Sequence, residues 1–326
     1  MSPARIPPPV TRVMDAAQAW LPRRLAVVEK RLGELARGHG DSLSGEASAT
    51  IEAGGKRLRP LLVLLCAGPA AGEGADRAAA AVELVHMATL VHDDVLDHAA
   101  LRRGRATVVA RSGREIATSV GDLLFARAFA ELARGDGAGA SERRVALLAD
   151  ASAALARGEL AQRQDAFDTS ISAERYLERC DLKTARLFAC ACQIGGPDDD
   201  SELAAFGAEI GLAFQLLDDV LDVSGPPERT GKARGTDLRD GTITMPLILA
   251  RGRDPGLAAV DLRDLDERGS GEVCDRIIAT GALDDVRADA TARVERAKGR
   301  LDAAAVDPER RRLLALVADG VVERYS

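Results

Sequence analysis

Glu83-Leu-Val-His-Met-Ala-Thr-Leu-Val-His-Asp-Asp-Val-Leu-Asp97 sets three aspartates inside an apolar run. On a helix of 3.6 residues per turn, Asp93 and Asp97 stand one above the other, and His86, Thr89 and Leu90 share their stripe. Asp94 lies to one side. The geometry recurs in Gly211-Leu-Ala-Phe-Gln-Leu-Leu-Asp-Asp-Val-Leu-Asp222, where Gly211, Phe214, Gln215, Asp218 and Asp222 form one face. The pentapeptide Asp-Asp-Val-Leu-Asp thus occurs twice, at 93–97 and 218–222, while the surrounding sequences share little.

A solvated acidic patch is the plain alternative, and it fits poorly. Like charges at i,i+4 weaken a helix, and carboxylates drawn into apolar surroundings are costly unless something compensates them. Two clusters of equal spacing call for a shared counter-charge. Cysteine is absent from both, and the only histidines beside them are His92 and His98. Oxygen-only donors suit Mg²⁺, which takes one or two carboxylates and completes its shell with water and substrate phosphate. The Glu and Glu-x-x-His pairs of a ferritin-like di-metal centre are missing.

Composition sets the frame for this site. The chain has 326 residues, 46% hydrophobic and 29% charged, enough for a sizeable core and against global disorder. Only 3% are aromatic, so the core must be aliphatic and alanine-rich, which favours helices. Apolar residues recur at helical spacing from Val13 onward, and strand-like alternation is nearly absent. Short glycine-rich breaks fall at 68–74, 135–139, 195–196 and 225–235, none of which resembles a linker. The expectation is an all-α fold of ten or more helices around one core. Residues 1–12 are expected to form a flexible tail and residues 13–326 a single helical domain. Pro60 and Pro246 fit first-turn positions of helices.

The net charge of −7, with basic residues scattered, excludes nucleic acid as the main partner. No apolar stretch reaches the roughly 18–20 residues of a membrane span, and the N-terminus lacks a signal-peptide core, so the expected location is cytoplasmic. The five cysteines have no zinc-like spacing, and Cys190 and Cys192 read as buried thiols. His39 reads as a surface residue and His98 as an exposed loop residue.

A phosphate site also needs fixed positive charge. Gly54-Gly-Lys-Arg-Leu-Arg59 offers Lys56 and Arg59 at a helix start, where backbone N–H groups favour anions. Leu101-Arg-Arg-Gly104 follows the first acidic cluster, and Lys183 and Lys232 complete the candidates. The chain has five lysines against 39 arginines, and three of the five lysines fall in these segments. Lysine meets phosphate as a compact point charge, unlike the arginine fork.

Together these residues resemble the trans-prenyl diphosphate synthases, the polyprenyl synthetase family. The likeness runs from Gly54 to about Leu249 through GGKRLRP, HDDVLD with LRRG, GDLLFARAF, GELAQ, LKTARLF, FGAEIGLAFQLLDDVLD and GKARGTDLRDGTITMPLI. It implies the isoprenoid synthase fold, one large helical bundle around a central cavity, as a homodimer, with the two acidic helices facing each other. It implies that Lys56, Arg59, His86 and Arg103 hold isopentenyl diphosphate. Asp93, Asp97 and Asp218 would bind the allylic diphosphate through Mg²⁺, supported by Asp94, Asp219 and Asp222, in a cluster of about three ions. Arg102, Lys183 and Lys232 would contact the phosphates, and Thr184 and Gln215 would line the place where the allylic cation forms. Lys183, Thr184, Gln215, Asp93 and Asp218 are then the catalytic set.

The reaction so implied is head-to-tail (1′-4) condensation of isopentenyl diphosphate with geranyl, farnesyl or geranylgeranyl diphosphate to a longer all-trans product. Ala88 and Thr89, one turn before the first acids, are small where a large aromatic would stop growth early. Only two residues separate Asp94 from Asp97. Both features are similar to medium- and long-chain synthases; a geranylgeranyl or farnesyl diphosphate synthase is the alternative. His98, Ala99, Ala100 and Ala106 depart from residues common in the family and remove no catalytic group. A class I terpene cyclase would need no isopentenyl site, and a non-catalytic partner subunit would have degraded acidic motifs. The intact Lys56, Arg59, His86 set and the two complete motifs argue against both.

Overall fold

Alanine, rather than aromatic bulk, sets the helix spacing in this chain. A computed structural model describes residues 8–102, 104–134, 138–197, 200–225 and 234–323. The helices are α1 (Pro8–Ala16), α2 (Leu21–Leu35), α3 (Asp41–Glu52), α4 (Leu58–Ala67), α5 (Glu73–Leu96), α6 (Val108–Ala133), α7 (Ala138–Gln164), α8 (Ala173–Cys180), α9 (Arg186–Gly195) and α10 (Ser201–Ser224). The short α11 (Thr236–Arg239), α12 (Met245–Arg251) and α13 (Pro255–Ala258) lead to α14 (Glu267–Ala279), α15 (Ala282–Arg300) and α16 (Pro308–Glu323). The strands among the described residues are the two-residue β1 (Leu101–Arg102) and β2 (Arg105–Ala106), an antiparallel hairpin after α5. No helix of the described residues is long and apolar enough to cross a membrane.

The fold is the expected all-α bundle. Its centre is α5, which packs against α2, α4, α6, α7 and α9. Ala78, Ala79, Ala80 and Ala81 are fully buried on it, so its first half is wrapped on all sides and cannot be amphipathic. Helix α10 is clamped between α9 and α15. Asp200 starts it by accepting from the N–H groups of Glu202 and Leu203, both at 3.0 Å. Thr107 Oγ1 accepts from Ala110 N–H at 3.2 Å and starts α6 straight after the hairpin.

The expectation of a tail through residue 12 does not hold from residue 8 onward. Pro8–Ala16 is helical because Val13 and Ala17 have somewhere to go: they are buried, and α1 lies along α16. Residues 1–7 lie outside the described residues. Just after the glycine-rich break at 225–235 the chain forms α11, and Asp222 takes part in holding it. His39 is not a plain surface residue. It is half-buried, and Arg127 Nε donates to its Nε2 at 3.0 Å. His98 is exposed, as expected, with φ of 51°.

All five cysteines are buried as free thiols. Burial pushes Cys180 and Cys190 up to about 12 and Cys274 up to about 11. Native protein should therefore react only slowly with a thiol-specific disulfide reagent at about pH 8, and release five equivalents once denatured. Two or more rapid equivalents from native protein would contradict this packing.

Candidate active site

The acids of α5 end in water at one side and in the core at the other. Asp93 is largely buried, Asp94 is buried and Asp97 is exposed. Each finds a cation from a different element. Lys183 Nζ lies 4.0 Å from Asp93 Oδ2. Arg102 of β1 donates from Nε to Asp94 Oδ1 at 2.8 Å. Arg163 near the end of α7 donates from Nη2 to Asp97 Oδ1 at 2.5 Å. At 4.0 Å, Lys183 compensates Asp93 only in part, so burial raises its carboxyl from 3.8 to about 6, with Glu159 and Asp97 adding to the rise. Burial likewise raises Asp94, with Arg102 opposing.

Lys183 stands on an unusual piece of chain. Between α8 and α9 the helix widens into one π turn, Asp181–Ala185, without breaking. Such turns are often found at functional sites because they re-aim a side chain. Two glycines grip this one. A Cβ on Gly158 of α7 would sit 2.6 Å from Lys183 N, and one on Gly211 of α10 would sit 2.7 Å from Ala185 Cα. The close approach of α7 also brings Glu159 into a direct ion pair with Lys183. Burial alone would raise Glu159, but Lys183 and Arg163 outweigh it and hold the carboxyl below its usual range.

The same turn meets the second acidic helix. Thr184 Oγ1 donates to Gln215 Oε1 at 2.9 Å, and Gln215 Nε2 donates to Asp219 Oδ1 at 2.8 Å. Tyr176 of α8, fully buried, donates its hydroxyl to Asp219 Oδ2. Burial, with Asp237 adding, pushes Asp219 well above the carboxylate range. Asp218 is half-buried, and Asp222 is buried and accepts from Asp237 N–H at 3.2 Å.

The cationic side is organised by Arg57. Its φ of 47° is uncommon for a non-glycine residue, and the conformation is held by ion pairs to Glu29 at 2.5 Å and Glu83 of α5 at 2.8 Å. With Arg57 turned inward, Lys56 is exposed and Arg59 opens α4. The Arg59 guanidinium lies 4.4 Å over the Phe188 ring of α9, and its buried Nε has no hydrogen-bond partner among the described residues. Burial lowers it to about 10, so it stays charged at neutral pH, with Glu83 opposing the shift. Phe188 in turn contacts Phe214, one turn before Asp218, with ring centroids 5.7 Å apart. His86 is half-buried two turns before Asp93 on the same stripe. Ala88 is fully buried, and Thr89 is half-buried with its hydroxyl donating to His86 O at 2.8 Å.

The structure brings Asp93, Lys183, Thr184 and Gln215 to one turn, and Arg59 to the aromatic pair beside it. It places Asp219, expected as a supporting metal ligand, between Gln215 and Tyr176, each hydrogen-bonded to one of its oxygens. It also gives Asp94 a different occupation, an ion pair with Arg102. Arg103 and Lys232 lie outside the described residues. Glu159, Arg163, Tyr176 and Arg57 were missed. Glu159 lies within the GELAQ string and is one helical turn from Arg163, a spacing that marks a surface pair but says nothing of what the pair reaches.

Among the described residues, no three His, Cys, Asp or Glu side chains converge as a closed metal cage would require. Mg²⁺ needs no such cage, because substrate oxygens and water fill most of its shell. The oxygen-only donors Asp93, Asp97 and Asp218 fit that pattern. So does the partly compensated charge of Asp93, and the partnerless Arg59 Nε fits a phosphate.

Two aspartate-rich helices joined through one lysine-bearing turn, inside an all-helical bundle, define the isoprenoid synthase class. A polyprenyl synthetase family model matches residues 41–268. Heptaprenyl diphosphate synthase component 2 of Geobacillus stearothermophilus is 37% identical over 255 residues, 76% of this chain and 78% of that protein. Octaprenyl diphosphate synthase of Escherichia coli is 34% identical over 279 residues, 82% and 85% of the two chains. The crystal structure of a Caulobacter crescentus polyprenyl synthase, complexed with calcium and isoprenyl diphosphate, superposes with a TM-score of 0.88 at 35% identity, covering 99% of this chain and 100% of that one. The chain belongs to the polyprenyl synthetase family, and it is a prenyltransferase.

The raised Asp93 makes a prediction for the metal-free protein. A carboxyl whose folded value lies above its unfolded one destabilises the fold at neutral pH, and that penalty fades as pH falls through about 6 toward 4. Asp93→Asn should raise the melting temperature in chelator at about pH 7.5, by a stability gain of about 1–3 kcal/mol. An unchanged or lower melting temperature would show that Lys183 and its surroundings already compensate the charge.

Proposed function

We propose that this chain condenses isopentenyl diphosphate with an allylic diphosphate, head to tail, and repeats the step to a medium- or long-chain all-trans polyprenyl diphosphate. The observation that carries this is the π turn 181–185. It contacts the first acidic motif through Lys183 and the second through Gln215, so a diphosphate gripped by both would lie against it.

Mg²⁺ held by Asp93, Asp97 and Asp218 would neutralise charge building on the departing diphosphate. Lys183, oriented by Glu159, adds a fixed cation at the same end. The allylic carbon left behind is electron-poor. Asp219 accepts from the amide nitrogen of Gln215, which leaves the amide oxygen on the Thr184 side. Thr184 spends its proton on that oxygen, so its own lone pairs remain to face positive charge. Phe188 and Phe214 supply apolar surface that keeps water from the cation. Arg59 and Lys56 would hold the isopentenyl diphosphate, with His86 beside it. Its double bond attacks the cation, and the proton lost from the new unit passes to the released diphosphate.

Long products are supported by the small Ala88 and Thr89, and by the heptaprenyl and octaprenyl names of two relatives. We propose a homodimer as the active form. The name of one relative as a component makes a two-chain enzyme the reading to test against it.

Purified chain alone, given Mg²⁺, isopentenyl diphosphate and farnesyl diphosphate, should yield longer diphosphates. Asp218→Ala should lower turnover by at least about a hundredfold with the fold intact by circular dichroism. No elongation by folded protein would overturn the reading, and elongation only after a second chain is added would overturn the homodimer. Thr89→Phe should shorten the longest product seen by mass spectrometry; an unchanged product distribution would remove Thr89 from the growth path.

A further inference from the structure

Asp97 has a partner that the reaction does not call for. Arg163 Nη2 donates to Asp97 Oδ1 at 2.5 Å, Nη1 donates to Leu96 O at 3.2 Å, and Nε donates to Glu159 Oε1 at 3.0 Å. All its nitrogens are thus spent on the end of α5 and on Glu159. Glu159 pairs through its other oxygen with Lys183, and Lys183 faces Asp93. Asp97 N–H donates to Asp93 O at 2.8 Å within α5 and closes the circuit. Three acids and two bases therefore alternate along a run, Asp93–Lys183–Glu159–Arg163–Asp97, closed into a ring only by the α5 backbone, that ties α5 to α7 and to the π turn.

Charge explains why the run reaches Asp97. Asp93 and Asp97 are like charges one turn apart, a destabilising pair at a helix C-terminus, where anions are also disfavoured by the helix dipole. Arg163 answers both problems at once, since it neutralises Asp97 and caps the Leu96 carbonyl. It does so at Asp97 Oδ1, an oxygen that a divalent cation would also use.

We propose that Arg163, held by Glu159, is a clasp that competes with the divalent cation for Asp97, so that metal and arginine occupy Asp97 in alternation. This rests on the metal–diphosphate reading above and adds to it a residue that tunes the metal requirement. Arg163 is a positioning residue for Asp97, and loading the metal releases it from Asp97 while Glu159 keeps hold of both Arg163 and Lys183.

Mn²⁺ alone is the probe, with free ion counted by electron paramagnetic resonance during titration of the whole protein. Arg163→Gln should tighten Mn²⁺ binding about two- to fivefold, the size expected when one partly exposed competing ion pair is removed. Arg163→Lys, which keeps the charge, should stay near wild type. In chelator, Arg163→Gln should melt at a lower temperature than wild type. Affinity in Arg163→Gln that is equal to or weaker than wild type would overturn the clasp. Asp97→Asn separates the two readings: weaker Mn²⁺ binding there with no change in Arg163→Gln sinks the clasp alone, whereas no effect of Asp97→Asn sinks the assignment of Asp97 to the metal.

Discussion

Negative charge held on a helix inside an apolar bundle has to be answered by something, and the architecture around α5 is organised to answer it. Asp93, Asp94 and Asp97 each meet a cation delivered by a separate element: the π turn, the hairpin and α7. None of these elements packs there by hydrophobic burial alone. The hairpin is only two residues long on each side, and Arg102 is what ties it to α5. The widened turn needs Gly158 and Gly211 so that α7 and α10 can come close enough for the charges to meet. Compensation is nevertheless incomplete at Asp93, where the carboxyl stays elevated. An acid left short of positive charge is one that a cationic ligand would satisfy, as the proposed metal-bound state requires.

The second acidic helix shows a division of labour within the same five-residue motif. Asp218 is half-buried, whereas Asp219 is turned into the protein and serves Gln215 and Tyr176. The pair thus divides into one half-buried acid and one structural acid committed to the protein's own hydrogen bonds. Its structural member sets the orientation of an amide and, through it, of the Thr184 hydroxyl. The corresponding residue of the first motif, Asp94, plays a similar supporting part toward Arg102.

Much of this was legible in the residues. Periodicity and the alanine-rich composition gave an all-helical bundle, and the i,i+4 aspartates with Gln215 in register gave the acidic faces. Other features were not legible, for physical reasons. Asp94 and Asp219 sit beside the stripes, and which acid turns inward depends on a partner from α8 or β1, far away in sequence. Tyr176 reads as an ordinary core aromatic until its hydroxyl finds Asp219. Arg57 looks like one more cation in GGKRLRP, and only its left-handed backbone and two glutamate partners reveal it as the scaffold for Lys56 and Arg59. The helix start at Pro8 is not legible in so proline-rich a segment, because its support comes from α16 at the other end of the chain.

The widened turn also has a consequence for angular phase. Twelve residues separate Tyr176 from Phe188, and on an uninterrupted α-helix they would project about 120° apart. One additional residue accommodated without rotation takes up about 100° of that, leaving the two side chains within about 20° of each other. Both can then address the same neighbour: Tyr176 reaches Asp219 and Phe188 reaches Phe214, each on α10. A chain shortened by a single residue within 181–185 would carry the same two side chains on a plain α-helix and still within about 20° of each other, so it would keep both anchors in phase and lose only the widened turn on which Lys183 stands.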